Sequence, residues 1–237
     1  MKLKNIYVKF FGKITGCYNY GKNNKVIFLK KGKEYKKFFM PKGLIIKLEA
    51  NNGIVKIEYP LKFENTLIDI EGDNGVFEIK HSKYPLRNCR FYIEYNSQIH
   101  IGKNCQLKNR NLCMIANCAY NKPAQIIIGD NVLIGTNAII RTSDGHTLIN
   151  VKTREPLNKT EDVIIDNNVW IGANCTILKG TYISKGSIVG ACSLINKKFE
   201  EENIVIAGNP AKILKHNVTW DIKGYGKYRR EMEREKK

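Results

Sequence analysis

The chain contains no run of eighteen apolar residues, so it offers no helix long enough to cross a bilayer. Its seven cysteines include no Cys-x-x-Cys pair; Cys105, Cys113 and Cys118 are the closest group. None of the four histidines stands at metal-ligand spacing, which argues against a zinc site or any other metal centre. No glycine-rich phosphate loop precedes residue 90. The first residues, Met1-Lys-Leu-Lys-Asn-Ile-Tyr-Val-Lys-Phe-Phe-Gly, are basic, but lysine and glycine interrupt them before a secretory apolar core can form. These absences predict a cytoplasmic protein with reduced thiols and at most peripheral membrane contact.

Acid is also scarce. Twenty-two aspartates and glutamates face forty lysines and arginines, a net charge of +18, and the imbalance is uneven. Residues 1–47 hold thirteen lysines against the single acid Glu34, a local excess of twelve positive charges. A field of one sign concentrates partners of the other sign. Nucleic acid, an anionic membrane and an acidic polysaccharide all fit, as does a plain lysine-rich coding bias, and charge alone does not separate them.

What is abundant is repetition. From Ile165 the sequence reads IDNNVW, IGANCT, ILKGTY, ISKGSI, VGACSL and then Ile195, with aliphatic residues at 165, 171, 177, 183, 189 and 195. The fifth place of each unit holds Val169, Cys175, Thr181, Ser187 or Ser193, all small or β-branched. A period of six fits neither a helix at 3.6 nor one long strand at 2.0. It fits short strands joined by tight corners, three units to a triangular coil, with the aliphatic residue pointing inward and the small one near the corner. Ile128, Ile134 and Ile140 keep the same rule, as do Ile101 and Leu107. The step from Ile140 to Ile165 is 25, not a multiple of six, so a loop leaves the coil, and the polar stretch 147–162 is its place. A second protrusion falls at roughly 116–125.

Upstream the pattern loosens. Segments starting at Leu44, Leu67 and Phe91 each read as alternating strand, Asn/Asp/Gly turn and alternating strand, and Ile57, Ile79 and Ile101 lie 22 residues apart. These are looser coils or stacked hairpins. The expected fold is an all-β, three-faced parallel β-helix with looser N-terminal rungs and a short C-terminal tail or helix. The expected divisions are a basic cap at 1–43, punctuated by Gly12, Gly16, Gly21 and Gly32, the β-helix domain at 44–215 with its catalytic coils from about 90, and a charged tail at 216–237, helical from Lys227. A solenoid needs its ends capped.

The hexapeptide tract, Ser143-Asp-Gly-His146 and Ala207-Gly-Asn-Pro-Ala-Lys212 together resemble the hexapeptide-repeat acyltransferases. Within them the chain resembles bacterial capsular, polysialic acid and lipopolysaccharide O-acetyltransferases, well over roughly 90–216 and weakly before. The resemblance implies a left-handed helix and a homotrimer, with acetyl-CoA and acceptor meeting in clefts between subunits. It implies His146, just ahead of the excursion loop, as the base, and Trp170 as its partner in catalysis. It assigns acetyl-CoA contacts to Gly172, Ala173, Gly190, Ala191, Asn196, Lys197, Lys212 and Lys215. The last two stand where relatives often carry arginine, which leaves charge pairing with phosphate but removes bidentate geometry.

The residues themselves suit that chemistry. An alcohol is a poor nucleophile at neutral pH, and a histidine titrates where a base is needed. His81, His100 and His216 read as structural or surface residues. Asp144 could orient His146, bind acceptor or satisfy the turn at Gly145. Trp170 could hold the imidazole, shape the acceptor cleft or simply stack on an outer face. A backbone N–H near Gly172-Ala173 suits an oxyanion. The expected activity is acetyl-CoA-dependent O-acetylation of a bacterial surface saccharide, an anionic polysaccharide such as a sialic-acid-containing capsule or lipooligosaccharide, with no nucleic acid involved. N-acetylation of an amino sugar nucleotide and a non-catalytic scaffold are the alternatives. A γ-type carbonic anhydrase would need three metal-binding histidines, which this pattern does not supply.

Overall fold

A computed structural model describes residues 16–34, 40–107, 112–117 and 123–235. Gly12, Cys118 and the centre of the 116–125 protrusion lie outside the described residues. Three parallel sheets form the faces of a prism, and the chain visits them in fixed order. The first face runs from Cys17–Asn19 through Leu44–Leu48, Thr66–Ile70, Cys89–Ile93, Leu112–Ala116, Ile139–Arg141 and Thr176–Ile177 to Leu194–Ile195. The second runs from Lys25–Lys30 to Lys198–Phe199, and the third carries Gln106–Leu107, Leu133–Ile134, Trp170–Ile171, Ile188–Val189 and Val205–Gly208.

The repeat dictates this directly. Ile165, Ile171, Ile177, Ile183, Val189 and Ile195 are all buried, one per face per coil, and so are the fifth-place residues Val169, Cys175, Thr181, Ser187 and Ser193. Stacked coils keep identical register, as in Ile134 opposite Ile171 and Ile171 opposite Val189. The 22-residue rungs are true coils, not hairpins: Ile57 pairs with Ile79 and Ile79 with Ile101, all in parallel. Coiling extends upstream of residue 44, because Cys17–Asn19 pairs with Leu44–Leu48 and Lys25–Lys30 with Ile54–Tyr59. Lys33–Glu34 then turns back antiparallel on the second face and covers that end.

The corners explain the asparagines. With the exceptions Lys31, Arg154 and Cys192, every described non-glycine residue at positive φ is an asparagine. Its short side chain tolerates the left-handed conformation that a tight corner demands. Asn23, Asn52, Asn74 and Asn96 stack on successive coils and hydrogen-bond amide to amide at 2.9–3.3 Å. Glycine is required where coils touch: a Cβ on Gly172 would lie 2.5 Å from the Ala191 nitrogen.

Beyond the last coil, Ala211–Lys215 pairs antiparallel with Val205–Gly208. Residues 218–220 then fold back along the corner between second and third faces, with Val218 N–H donating to Asn203 O at 2.7 Å. Helix Tyr225–Glu235 follows and buries no residue. No described helix is long and apolar enough to cross a membrane.

Candidate active site

The excursion predicted from the break in period leaves the coil after Ile139–Arg141, at the corner between first and second faces, and rejoins at Val163–Ile165. Its base is fastened to the coil below. The Thr142 hydroxyl accepts from Asn117 N–H at 2.8 Å and donates to Asn117 O at 2.9 Å. Its arms pair as a hairpin, with Leu157 N–H on Leu148 O at 2.7 Å.

His146 sits in the ascending arm, exposed, and its carbonyl is held by a hydrogen bond. Asn158 does the holding. Its Nδ2 donates to the His146 carbonyl at 2.7 Å and to Asp144 Oδ2 at 2.8 Å, while its Oδ1 accepts from Leu148 N–H at 2.7 Å. Lys179, one coil on, reaches Asp144 Oδ2 at 2.5 Å. Gly145 has φ +85°, a backbone conformation that side-chain-bearing residues rarely adopt, so the turn before His146 favours glycine. The imidazole itself makes no hydrogen bond among the described residues. The other three histidines are occupied: His81 with Glu58 at 3.0 Å, His100 with Gln98 at 2.8 Å and His216 with Glu201 at 2.7 Å.

The hydrogen bonds of the Asp144 carboxylate among the described residues run to Lys179 and Asn158, not to the His146 ring or to the turn backbone at Gly145. Lys179, and after it Asn158, hold its carboxyl below the ordinary aspartate range. A depressed folded value contributes stability that is present above the unfolded pKa, about 3.9, and is lost as pH falls through the folded one. The clamp therefore persists at neutrality and fails only in acid. Asp144→Asn should expose the loop at pH 7, seen as faster tryptic cleavage after Lys152 and Arg154. Cleavage at the wild-type rate would remove Asp144 from the clamp.

Trp170 lies on the outer surface of the third face, 41% exposed. Its ring packs against Trp220 at 6.1 Å between centroids, and Trp220 Nε1 is anchored on Asn168 O at 2.6 Å. Within one chain, His146 and Trp170 thus project from different parts of the prism, and no hydrogen bond or ring contact joins them among the described residues.

The remaining candidates fall into two groups. Gly172-Ala173 and Gly190-Ala191 stack on the corner between third and first faces, with Ala207 next in the column, and Lys212 stands opposite Ala207. The Gly172 N–H is committed to Val189 O at 2.8 Å, which leaves Ala173 N–H as the donor without a bond among the described residues. Asn196 and Lys197 lie instead on the corner of His146 and Lys179, two coils beyond the excursion, and Lys215 pairs opposite Val205. Lys212, Lys215, Asn196 and Lys197 are all exposed. Among the described residues no group of three His, Cys, Asp or Glu side chains is placed to hold a metal ion. Sequence reasoning missed Asn158, Lys179 and Trp220, none of which occupies a repeat position with a chemical signature.

The fold is a left-handed parallel β-helix built on hexapeptide repeats. The model "Bacterial transferase hexapeptide (six repeats)" matches residues 162–197, and "Hexapeptide repeat of succinyl-transferase" matches 125–145. Within that class the chain resembles the polysialic acid O-acetyltransferases. It is 27% identical over 95 residues to the polysialic acid O-acetyltransferase of Escherichia coli O1:K1 / APEC, covering 40% of this chain and 31% of that protein. The polysialic acid O-acetyltransferase OatWY superposes with a TM-score of 0.59 at 27% identity, covering 88% of this chain and 92% of OatWY. The fold is also that of the polySia-specific acetyltransferase NeuO, at a TM-score of 0.75, 24% identity and coverage of 88% and 83% respectively. The chain spans between 31% and 59% of the length of the curated relatives it matches.

Proposed function

We propose that this protein is an acetyl-CoA-dependent O-acetyltransferase that modifies a hydroxyl of an anionic bacterial surface saccharide, working as a homotrimer in the cytoplasm. The observation that carries the reading is His146: an exposed imidazole with no protein partner among the described residues, on a backbone clamped by Asn158, at the point where a hexapeptide coil opens. Such a group is free to take a proton and held where it must act.

In this reading the acceptor hydroxyl gives its proton to the His146 imidazole as its oxygen attacks the thioester carbonyl. Ala173 N–H supports the oxyanion, and collapse expels the thiolate of coenzyme A, which recovers the proton from the imidazolium. The small residues Gly172, Ala173, Gly190 and Ala191 leave room for the pantetheine arm along their corner. Lys212 and Lys215 face its phosphates, with Asn196 and Lys197 beside the base. Because His146 and Trp170 stand apart on one chain, the reading requires a second subunit to complete the cleft, which is the basis for the trimer.

The anionic acceptor is supported by the twelve excess positive charges in residues 1–47 and by the substrates named for the similar proteins. Steady-state kinetics test both halves. The Debye length shrinks from about 10 Å at 0.1 M salt to about 3 Å at 1 M. The acceptor KM should therefore climb with salt more steeply for a polyanionic saccharide than for its monosaccharide. Replacing Lys212 and Lys215 together by alanine should raise the KM for acetyl-CoA and spare that for acceptor. Acceptor kinetics indifferent to salt would sink the polyanion, and a selective rise in acceptor KM in the lysine variant would sink the cofactor placement.

A further inference from the structure

Gln106 stands on the outer side of the third face, in register with Leu133 and, through it, with Trp170. An outward residue on a β-helix ordinarily meets solvent. Gln106 is only 3% exposed, and its amide oxygen accepts no hydrogen bond. A buried acceptor without a donor is destabilising and calls for an explanation. Trp220 is pinned to Asn168 and packed on Trp170, and residues 220–222 line, together with Gln106, an open cavity of about 290 Å³ on the outer face.

The lining of that cavity has a consistent chemistry. Tyr84 and Trp220 line it with aromatic side chains, Leu133 with an apolar one, and Asn104 and Asn131 with planar amides. The charged groups at the edge, Lys83 and Asp221, are of opposite sign, so the cavity does not select for net charge. Aromatic faces with a few convergent neutral hydrogen-bonding groups suit a ring that has an apolar C–H side and hydroxyl or amide edges. The volume is that of a small site, enough for one ring and not for a chain.

We propose that this cavity is an acceptor subsite that takes one sugar ring, with a hydroxyl or acetamido N–H of the ring donating to Gln106 Oε1 and a C–H face against Trp220. The inference rests on the O-acetyltransferase reading and deepens it. The basic N-terminal region gathers the polymer by charge, whereas the cavity recognises the ring and sets it beside Trp170. Gln106 and Trp220 are specificity-determining residues on this account, and the C-terminal segment is part of the site.

The test is saturation-transfer NMR on the full chain with three probes, an N-acetylneuraminic acid oligomer, N-acetylglucosamine and lactose. Wild type, Gln106→Leu and Trp220→Ala are compared, together with the KM of each for acceptor and for acetyl-CoA. At least one probe should receive saturation at its ring protons. Its affinity should fall about tenfold or more in both variants, with the acetyl-CoA KM unmoved. Trp220→Phe, which keeps an aromatic face but loses the bond to Asn168, should fall between. Wild-type acceptor KM in Gln106→Leu and Trp220→Phe, in an enzyme that still turns over, would overturn the subsite and leave the activity standing. Saturation of a sugar lost in both variants, with no acetyl transfer by the wild type, would uphold the subsite and overturn the activity. Binding unchanged in every variant would mean that Gln106 meets only water.

Discussion

Replacing His146 by alanine should lower kcat by about 10²- to 10⁴-fold, the range that a positioned general base contributes. The fold should be untouched. The imidazole is exposed and holds nothing among the described residues, and the contacts that order the loop run through the His146 carbonyl, Asn158 and Asp144, all of which survive truncation of the ring. The KM for acetyl-CoA should stay near its wild-type value, because the small-residue corner and Lys212 lie away from the excursion. Trp170→Ala should cost less, since an aromatic wall positions the acceptor without exchanging a proton with it. Circular dichroism and sedimentation of the His146→Ala protein should match the wild type. A variant that retains a tenth of normal turnover would remove His146 from the base role.

The largest effect on stability is expected one residue past Trp170. Ile171 is fully buried and stacks between Ile134 and Val189 in the column that runs down the third face. Its neighbours belong to backbone coils locked by parallel ladders and cannot collapse into the space. Ile171→Ala should therefore destabilise the protein by roughly 2–5 kcal/mol. For a chain of this size that corresponds to a fall in Tm of about 4–20 °C. The adjacent Trp170→Ala removes an exposed ring and should change Tm far less, so the pair separates inward from outward positions of one short strand. Equal melting of Ile171→Ala and wild type would contradict the inward assignment of the hexapeptide aliphatics.

The contrast between these two neighbours shows why so much of the fold was readable. A six-residue period states which residue of each short strand points inward, and the inward column from Ile165 to Ile195 is buried without a break. The N-terminal rungs were harder. A strand, a turn and a strand look the same locally whether the turn closes a hairpin or rounds a corner. Only the non-local pairing of Ile57 with Ile79 and Ile79 with Ile101 distinguishes them. The coil formed by Cys17–Asn19 and Lys25–Lys30 was hidden because Val26-Ile-Phe-Leu29 is apolar on both its inward and its outward positions, which leaves no alternation to read.

For the candidate site the same division holds. That His146 stands where the chain leaves the coil was legible, because it immediately precedes a break in the period. Asn158 was not, because its role exists only once the loop folds back across twelve residues onto the His146 carbonyl. Lys179 meets Asp144 across thirty-five residues, and Trp220 meets Asn168 across fifty-two. Both contacts depend on how coils stack and on where the C-terminal segment returns, neither of which leaves a spacing in the chain. The close approach of Gly172 and Gly190 to the next coil accounts for both glycines whether or not a pantetheine arm lies beside them.

The most direct test is mass spectrometry of an intact acidic surface saccharide after incubation with acetyl-CoA and the purified protein. The expected product carries added acetyl groups that mild alkali removes, as esters require, and none forms with His146→Ala. A saccharide that returns unmodified, or one whose acetyl group survives alkali as an amide would, contradicts the assignment of an O-acetyltransferase with His146 as its base.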